Sequence, residues 1–508
     1  MHTKGFDTKK YLAAQTAAIL ARVSKFDRKL YIEFGGKLCA DHHAERVLPG
    51  YEPDAKIQLL KRLKPDLDII YCVSARDIQR GRIRYDYGLT YEDQTIKDIE
   101  DLERQDLPVT AVVITFYNGE DSADRLSRKL QKRGKKVYCH TPIKNYPSDL
   151  EFICGPKGYG VQPYIETTKP IVVVTATGPN SGKLATCLAQ IYHDNQNRGI
   201  RTGYAKFETF PIWNLAIDHP VNIAYEAATA DIGDFNAIDH FHLSAHQVTA
   251  VNYNRDIEAF PILQRLITSV VIQGNPVCDY KSPTDMGVNM AKEGIVDDAA
   301  VRAAARQEII RRYFRYAENE ALGLEKEDTV ERMQKLLKKS DIKIEERLVV
   351  SHARQAAQDA KASGKGHNGV YCGAAIELAG GDIITGKNSP LLHAESSALL
   401  NALKVMVKLP DDFHLLTEET VASIGRMKKE VYGERSESLN LDQTLTALAI
   451  SAQFNPSAKQ AMKALKKLAN CEMHITHLPT VGDQEGLRKL KLNVTTDALP
   501  FGKIFRID

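Results

Sequence analysis

Between residues 171 and 186 the chain reads IVVVTATGPNSGKLAT, an apolar β-branched run that gives way to small residues and ends on Gly182-Lys183. Small residues let backbone N–H groups point inward. The start of a following helix adds about half a positive charge, and a lysine completes a clamp on an anion. Thr177, Gly178, Asn180, Ser181, Gly182, Lys183 and Thr186 are therefore the expected anion-binding set. The plainer alternative is a packed strand–turn–helix with a solvent-facing lysine. Further on, TGYAKFETF places Lys206 and Glu208 on one side of an extended segment, because side chains alternate along a strand. In an open parallel sheet both features would emerge at the carboxyl ends of strands, where ligands bind. Lys183, Lys206 and Glu208 are accordingly the expected catalytic residues.

The full phosphate-loop pattern is G-x-x-x-x-G-K-[ST]. Here Thr177 stands where the first Gly belongs, and Leu184 where the Mg2+-holding hydroxyl belongs, with Ser181 and Thr186 the nearest hydroxyls. With the G-Y-x-K-like context of Lys206, the segment resembles the P-loop synthetases of the dethiobiotin synthetase type and the synthetase half of CTP synthase. That resemblance implies ATP or another phosphorylated ligand, together with Mg2+. Leu184 weakens the case for metal-assisted hydrolysis more than the case for anion binding. A site lacking its loop hydroxyl needs carboxylates for Mg2+, and Asp231 and Asp234, flanking a Gly, are expected to supply them. His240-x-His242 would suit a transition metal on a strand face, or structural hydrogen bonds. Arg255 and Lys281 are expected to grip a carboxylate or phosphate on a second substrate, although Ser282-Pro-Thr-Asp285 also reads as a helix cap.

Near the C-terminus, GAAIELAGGDIITGKNSPLLHAESSALLNAL gives a hairpin with a Gly-Gly turn, then His393-Ala394-Glu395 opening a helix. This resembles the cytidine-deaminase-like fold, whose chemistry uses a His and two Cys on zinc and a Glu that shuttles protons. The second half of that motif departs: Pro479 is present, but Thr480 and Asp483 stand where the cysteines belong. No zinc is expected. A site of His393, Asp483 and His477 would be hard and oxygen-rich. His393 and Glu395 are expected to contact substrate or to serve structure.

The elements that must position these residues alternate along the chain. LYIEFGGKL, LDIIYCVS, TAVVITFY and KVYCH read as strands separated by helices, and apolar strands alternating with helices argue for a parallel sheet covered on both faces. The expected fold is multi-domain α/β, with mostly parallel three-layer α/β/α sheets. Its expected domains are 1–165, a P-loop-like middle domain at 166–325, a helical bridge at 326–345 and a smaller α/β domain at 346–508. The Gly- and Pro-rich segment 157–170 is taken as the first linker. The amphipathic helix around 301–317 suggests subunit contacts, hence a homo-oligomer.

Composition narrows the function classes. At 508 residues, 43% hydrophobic and 26% charged, the chain has material for several cores. A net charge of +3 without a basic block is too small to imply a polyanion partner, and no nucleic acid is expected. The eight cysteines are scattered without a C-x-x-C pair and read as reduced residues of a cytoplasmic protein. No run of 18 apolar residues would span a membrane.

As a set, EFGGKL, GPNSGKLATC, GYAKFETFPIWN, AYEAATADIGDFN, YKSPTDMGVN and HAE resemble a bacterial family carried as a domain of unknown function, some of whose members are labelled ATP-dependent peptidase. The residues offer no G-x-S-x-G elbow and no H-E-x-x-H pair, so neither a peptidase nor a working deaminase is expected. The expected function is a phosphate- or nucleotide-binding enzyme, performing ATP-dependent phosphoryl transfer or carboxylate activation on a small metabolite. The alternatives are a non-catalytic nucleotide- or phosphate-sensing oligomer, and an enzyme acting on a phosphorylated metabolite without nucleotide.

Overall fold

The computed structural model describes residues 4–498 apart from 28, 37, 40, 85–87 and 435. Six parallel strands form one sheet: β1 (Lys29–Phe34), β2 (Leu67–Ser74), β3 (Ala111–Thr115), β4 (Val137–Cys139), β5 (Ile171–Ala176) and β6 (Thr202–Phe207), in the order β4-β3-β2-β5-β1-β6. The apolar runs are buried along nearly their whole length in β1, β2, β3 and β5, as a sheet covered on both faces requires.

The expected boundary at 165 does not separate two sheets. β5 inserts between β2 and β1 and pairs with both, so strands from before and after 165 share one core. Nor is 157–170 a loose linker. The Gln190 side-chain amide bonds both the N–H and the C=O of Ile165, at 2.9 and 2.8 Å. Asp68 accepts from the N–H groups of Thr168 and Lys169 at 2.6 and 2.9 Å. Gly and Pro there mark turns of a packed connection rather than a domain edge.

By contacts the chain divides into one unit of residues 2–226 with 234–305, and another of 227–233 with 306–508. The first unit contains the six-stranded sheet. Helix α1 (Lys183–Tyr192) follows β5, and α2 (Pro220–Ala228) leads to an antiparallel pair, β7 (Asn236–Ile238) and β8 (Val251–Tyr253), which brackets α3 (His240–His246). Helix α4 (Asn254–Val270) follows directly.

Helix α5 (Asp298–Ala321) crosses the division, so apart from 227–233 the second unit starts at 306, ahead of the expected bridge at 326–345 and domain at 346–508. Its stripe of Val301, Ala305, Ile309, Ile310 and Phe314 is buried within the chain, and it therefore carries no argument for subunit contacts. After α6 (Leu348–Ala362), four strands form a mixed sheet: β9 (Gly373–Glu377), β10 (Ile383–Lys387), β11 (Glu472–Ile475) and β12 (Asn493–Thr496), ordered β10-β9-β11-β12. Only β11 and β12 pair in parallel. Helices α7 (Ala394–Met406) and α8 (Val481–Lys489) complete the elements that matter here. Among the described residues, no helix is long and apolar enough to cross a membrane, and all eight cysteines are free.

Candidate functional site

The loop after β5 is built from tight packing as much as from openness. Asn180 and Gly182 take positive φ angles of 56° and 77°. A Cβ on Gly178 would lie 2.5 Å from the Tyr91 hydroxyl, and one on Gly182 would lie 2.9 Å from Thr115. The Thr115 hydroxyl donates to the carbonyl of Ser181 at 2.9 Å, holding the turn to the end of β3, two strands away in the sheet. Every hydroxyl of the loop is engaged internally. Thr177 pairs with Thr95 at 2.7 Å, Ser181 donates to the Gly178 carbonyl at 2.9 Å, and Thr186 donates to the Gly182 carbonyl at 3.0 Å. Neither Ser181 nor Thr186 is turned outward as a replacement for the hydroxyl missing at Leu184. Helix α1 starts at Lys183 on Gly182 with no side-chain cap. Its first-turn N–H groups are thus left as orphan donors at the positive end of the helix dipole.

Two lysines and three carboxylates meet at the carboxyl ends of β1 and β6. Lys183 Nζ lies 3.9 Å from Glu33 Oε1, with both side chains 14% exposed. The other Glu33 oxygen accepts from the Tyr204 hydroxyl at 2.9 Å. Glu33 and Lys206 face each other in the β1–β6 register. Lys206 is held between Glu208, at 3.1 Å, and Asp256. Burial opposes the charge on Lys206, but Asp256, Glu208 and Glu33 together raise its pKa. For Glu208, burial and the charges of Asp256 and Glu33 outweigh Lys206 and push its pKa up to about 7. Gly35 makes room for it, since a Cβ there would come within 2.7 Å of Glu208 Cγ. A cleft beside this cluster, lined by Lys206, Glu208, Trp213, Asn252, Asp256 and Asn289, encloses about 40 Å³. That space holds roughly three water-sized volumes, enough for a small polar group.

The expected pair Lys206–Glu208 is thus brought together, and Lys183 joins it through Glu33. Glu33 and Asp256 escaped the sequence reading. Glu33 was accessible from its place at the end of a strand, just before Gly35-Gly36, whereas Asp256 comes from the start of α4 and had no local signal.

Asp231 and Asp234 each have another partner: the Tyr316 hydroxyl donates to Asp231 at 3.2 Å, and Arg255 pairs with Asp234 at 3.0 Å. Arg255 is thereby engaged with a carboxylate of the protein itself, although its side chain is half exposed. The Lys281 side chain is exposed, while Ser282 caps the short helix Pro283–Met286, the alternative reading of that segment. His240 and His242 lie on a helix and not on a strand, so two residues' spacing turns them apart. Instead His242 and His246, one turn apart, approach Asp285 at 3.5 and 3.0 Å.

A second cluster occupies the C-terminal unit. His393 Nδ1 lies 2.8 Å from Asp483 Oδ2 and 3.7 Å from Glu395 Oε1, and His477 Nε2 lies 3.4 Å from Glu395 Oε2. Glu395 and Asp483 are fully buried. Thr480 caps α8, and Asp483 accepts from the Thr480 hydroxyl and the Leu441 N–H, both at 2.6 Å. The positions expected of two cysteines thus hold a capping hydroxyl and an anchored carboxylate, and a zinc site of one His and two Cys does not fit. Burial works against charge on His393, yet Asp483 and Glu395 raise its pKa to about 9.

Fold and clusters together define the class: a two-unit α/β protein, with a six-stranded parallel sheet in the first unit and a smaller mixed sheet in the second. The chain belongs to the DUF1846 family, matching its N-terminal domain of unknown function over residues 4–341 and its C-terminal domain over 345–501. A UPF0371 protein of Clostridium botulinum (strain Eklund 17B / Type B) is 46% identical over 493 residues, covering 97% of both chains. UPF0371 proteins of Clostridium tetani and Clostridioides difficile show the same identity and coverage.

Proposed function

We propose that the carboxyl edge of the six-stranded sheet binds a phosphorylated small molecule, ATP first among candidates, and transfers its terminal phosphoryl group to a small metabolite. The observation that carries this reading is the convergence of Lys183 and Lys206 on Glu33, beside the uncapped start of α1. Uncapped first-turn N–H groups and two lysines are what a phosphate chain needs. The small cleft beside Lys206 suits the acceptor's polar group. The acceptor oxygen would attack the terminal phosphorus, the bond to the bridging oxygen would break, and the diphosphate would leave. Glu208, with its pKa near neutrality, would take the acceptor's proton. Mg2+ would arrive on the phosphates, with Glu33 its natural neighbour in place of the engaged Asp231 and Asp234.

Calorimetric titration of ATP–Mg2+ and of inorganic phosphate into wild type and Lys183→Ala tests the reading. Binding at least tenfold weaker in the variant is expected. No binding to wild type, or equal binding to both proteins, would overturn it. A second reading, a nucleotide or phosphate sensor without turnover, is favoured by the engagement of Ser181 and Thr186, which leaves no loop hydroxyl for Mg2+. Tight binding with no phosphate release in the presence of candidate acceptors would select it.

A further inference from the structure

We propose that His393, Glu395, His477 and Asp483 form a binding site for a divalent first-row transition cation. Glu395 carries the argument. It is fully buried, and among the described residues no hydrogen-bond donor satisfies either of its oxygens. Two imidazole nitrogens stand at 3.7 and 3.4 Å from its oxygens, outside good hydrogen-bond geometry, and their charge offsets the burial of this carboxylate. What surrounds it is a ring of metal-ligating atoms: one oxygen faces His393, and the other faces His477.

The spacing fits a cation. With ligand bonds of about 2.1 Å, neighbouring donor atoms stand about 3.0 Å apart in an octahedron and about 3.4 Å apart in a tetrahedron. Here His393 Nδ1 stands 2.8 Å from Asp483 Oδ2 and 3.7 Å from Glu395 Oε1, so small side-chain adjustments would bring these three groups onto one ion, with His477 joining from the far Glu395 oxygen 3.4 Å away. His393, Glu395 and Asp483 each offer a ligand atom within 4.8 Å of the others. Outer contacts that orient ligands are also in place. Asp483 is fixed by the Leu441 N–H and the Thr480 hydroxyl, the kind of support that tunes metal sites. His393 is 22% exposed and provides an entry. Two imidazoles with two carboxylates, and the Cys372 thiol beside His477, suit Mn2+, Fe2+ or Zn2+ in preference to a soft monovalent ion.

The rival arrangement is a metal-free network of two imidazolium–carboxylate pairs. Full-length protein, stripped with chelator, is titrated with Mn2+ and separately with Zn2+ by calorimetry, with bound Mn2+ read by electron paramagnetic resonance. One equivalent per chain is expected, weakened at least tenfold in Glu395→Gln and in His477→Ala and unchanged in His246→Ala. Failure of wild type to bind either ion, or binding that survives both substitutions, overturns the proposal in favour of the ion-pair network. Loss on His246→Ala alone also overturns it, moving the site to the His242–His246–Asp285 group. Should Glu395→Gln fail to fold, Asp483→Asn and His477→Ala give the same comparison.

Discussion

Glu208 shows what one residue's surroundings do to its chemistry. Its carboxyl carries a raised pKa of about 7 because burial and two neighbouring carboxylates outweigh Lys206. A carboxyl raised on folding binds more protons folded than unfolded between about pH 4.5 and pH 7, so its contribution to stability falls as pH rises through that window. Replacing it with the neutral Gln removes the fall. The thermal midpoint of Glu208→Gln relative to wild type should therefore climb between pH 5 and pH 8, by a few degrees. A flat difference across that range would mean that Glu208 is an ordinary carboxylate. The same residue shows how far the site was legible. Lys206 and Glu208 were visible as a pair because a strand's period of two is a local property of the chain. Glu33 and Asp256, which complete the cluster, lie 173 and 50 positions from Lys206 by the sequence numbering, and only the sheet order brings them there.

At the scale of elements, two glycines decide how the C-terminal helices lie on their sheet. A Cβ on Gly386 of β10 would come 2.1 Å from the Ala398 backbone nitrogen of α7, and one on Gly373 of β9 would come 2.2 Å from the Ala353 carbonyl oxygen of α6. Neither obstacle is a flexible side-chain end, so each helix would have to move as a body. Gly386→Ala should destabilise this unit by about 3 kcal/mol or more, at the upper end of overpacking costs. Gly381→Ala, in the turn between the two strands, meets nothing within 4 Å and has a φ of 89°; it should cost only about 1–2 kcal/mol of backbone strain. Urea titration followed by far-UV dichroism would compare the two, and equal costs would refute the close-approach argument. The strands themselves were legible because unbroken apolar runs have few alternatives in an α/β chain. The insertion of β5 between β2 and β1 was not, since nothing local in IVVVTA names its neighbours.

For the whole molecule, the question is where the second unit begins. The family's two domains meet between residues 341 and 345, whereas the contacts of the chain place the division at 306. Helix α5 and the segment after it supply much of what the unit needs. Arg306 grips Glu346 through two nitrogens at 2.8 and 2.7 Å, and Gln307 donates to the Glu346 carbonyl at 2.9 Å. Ile309 and Ile310 are fully buried, and the Phe314 ring packs 4.9 Å from that of His474 on β11. Burying a large apolar side chain contributes about 1.5–3 kcal/mol, so losing three of them outweighs any gain from a shorter chain. A fragment of residues 345–508 should therefore melt at least 5 °C below a fragment of 306–508, or fail to fold, when both are followed by calorimetry. Within the longer fragment, Phe314→Ala should lose about 3–5 kcal/mol as a large-to-small core change. Equal melting of the two fragments would place the unit's edge at 345, and would reduce α5 to a connector that the fold can do without.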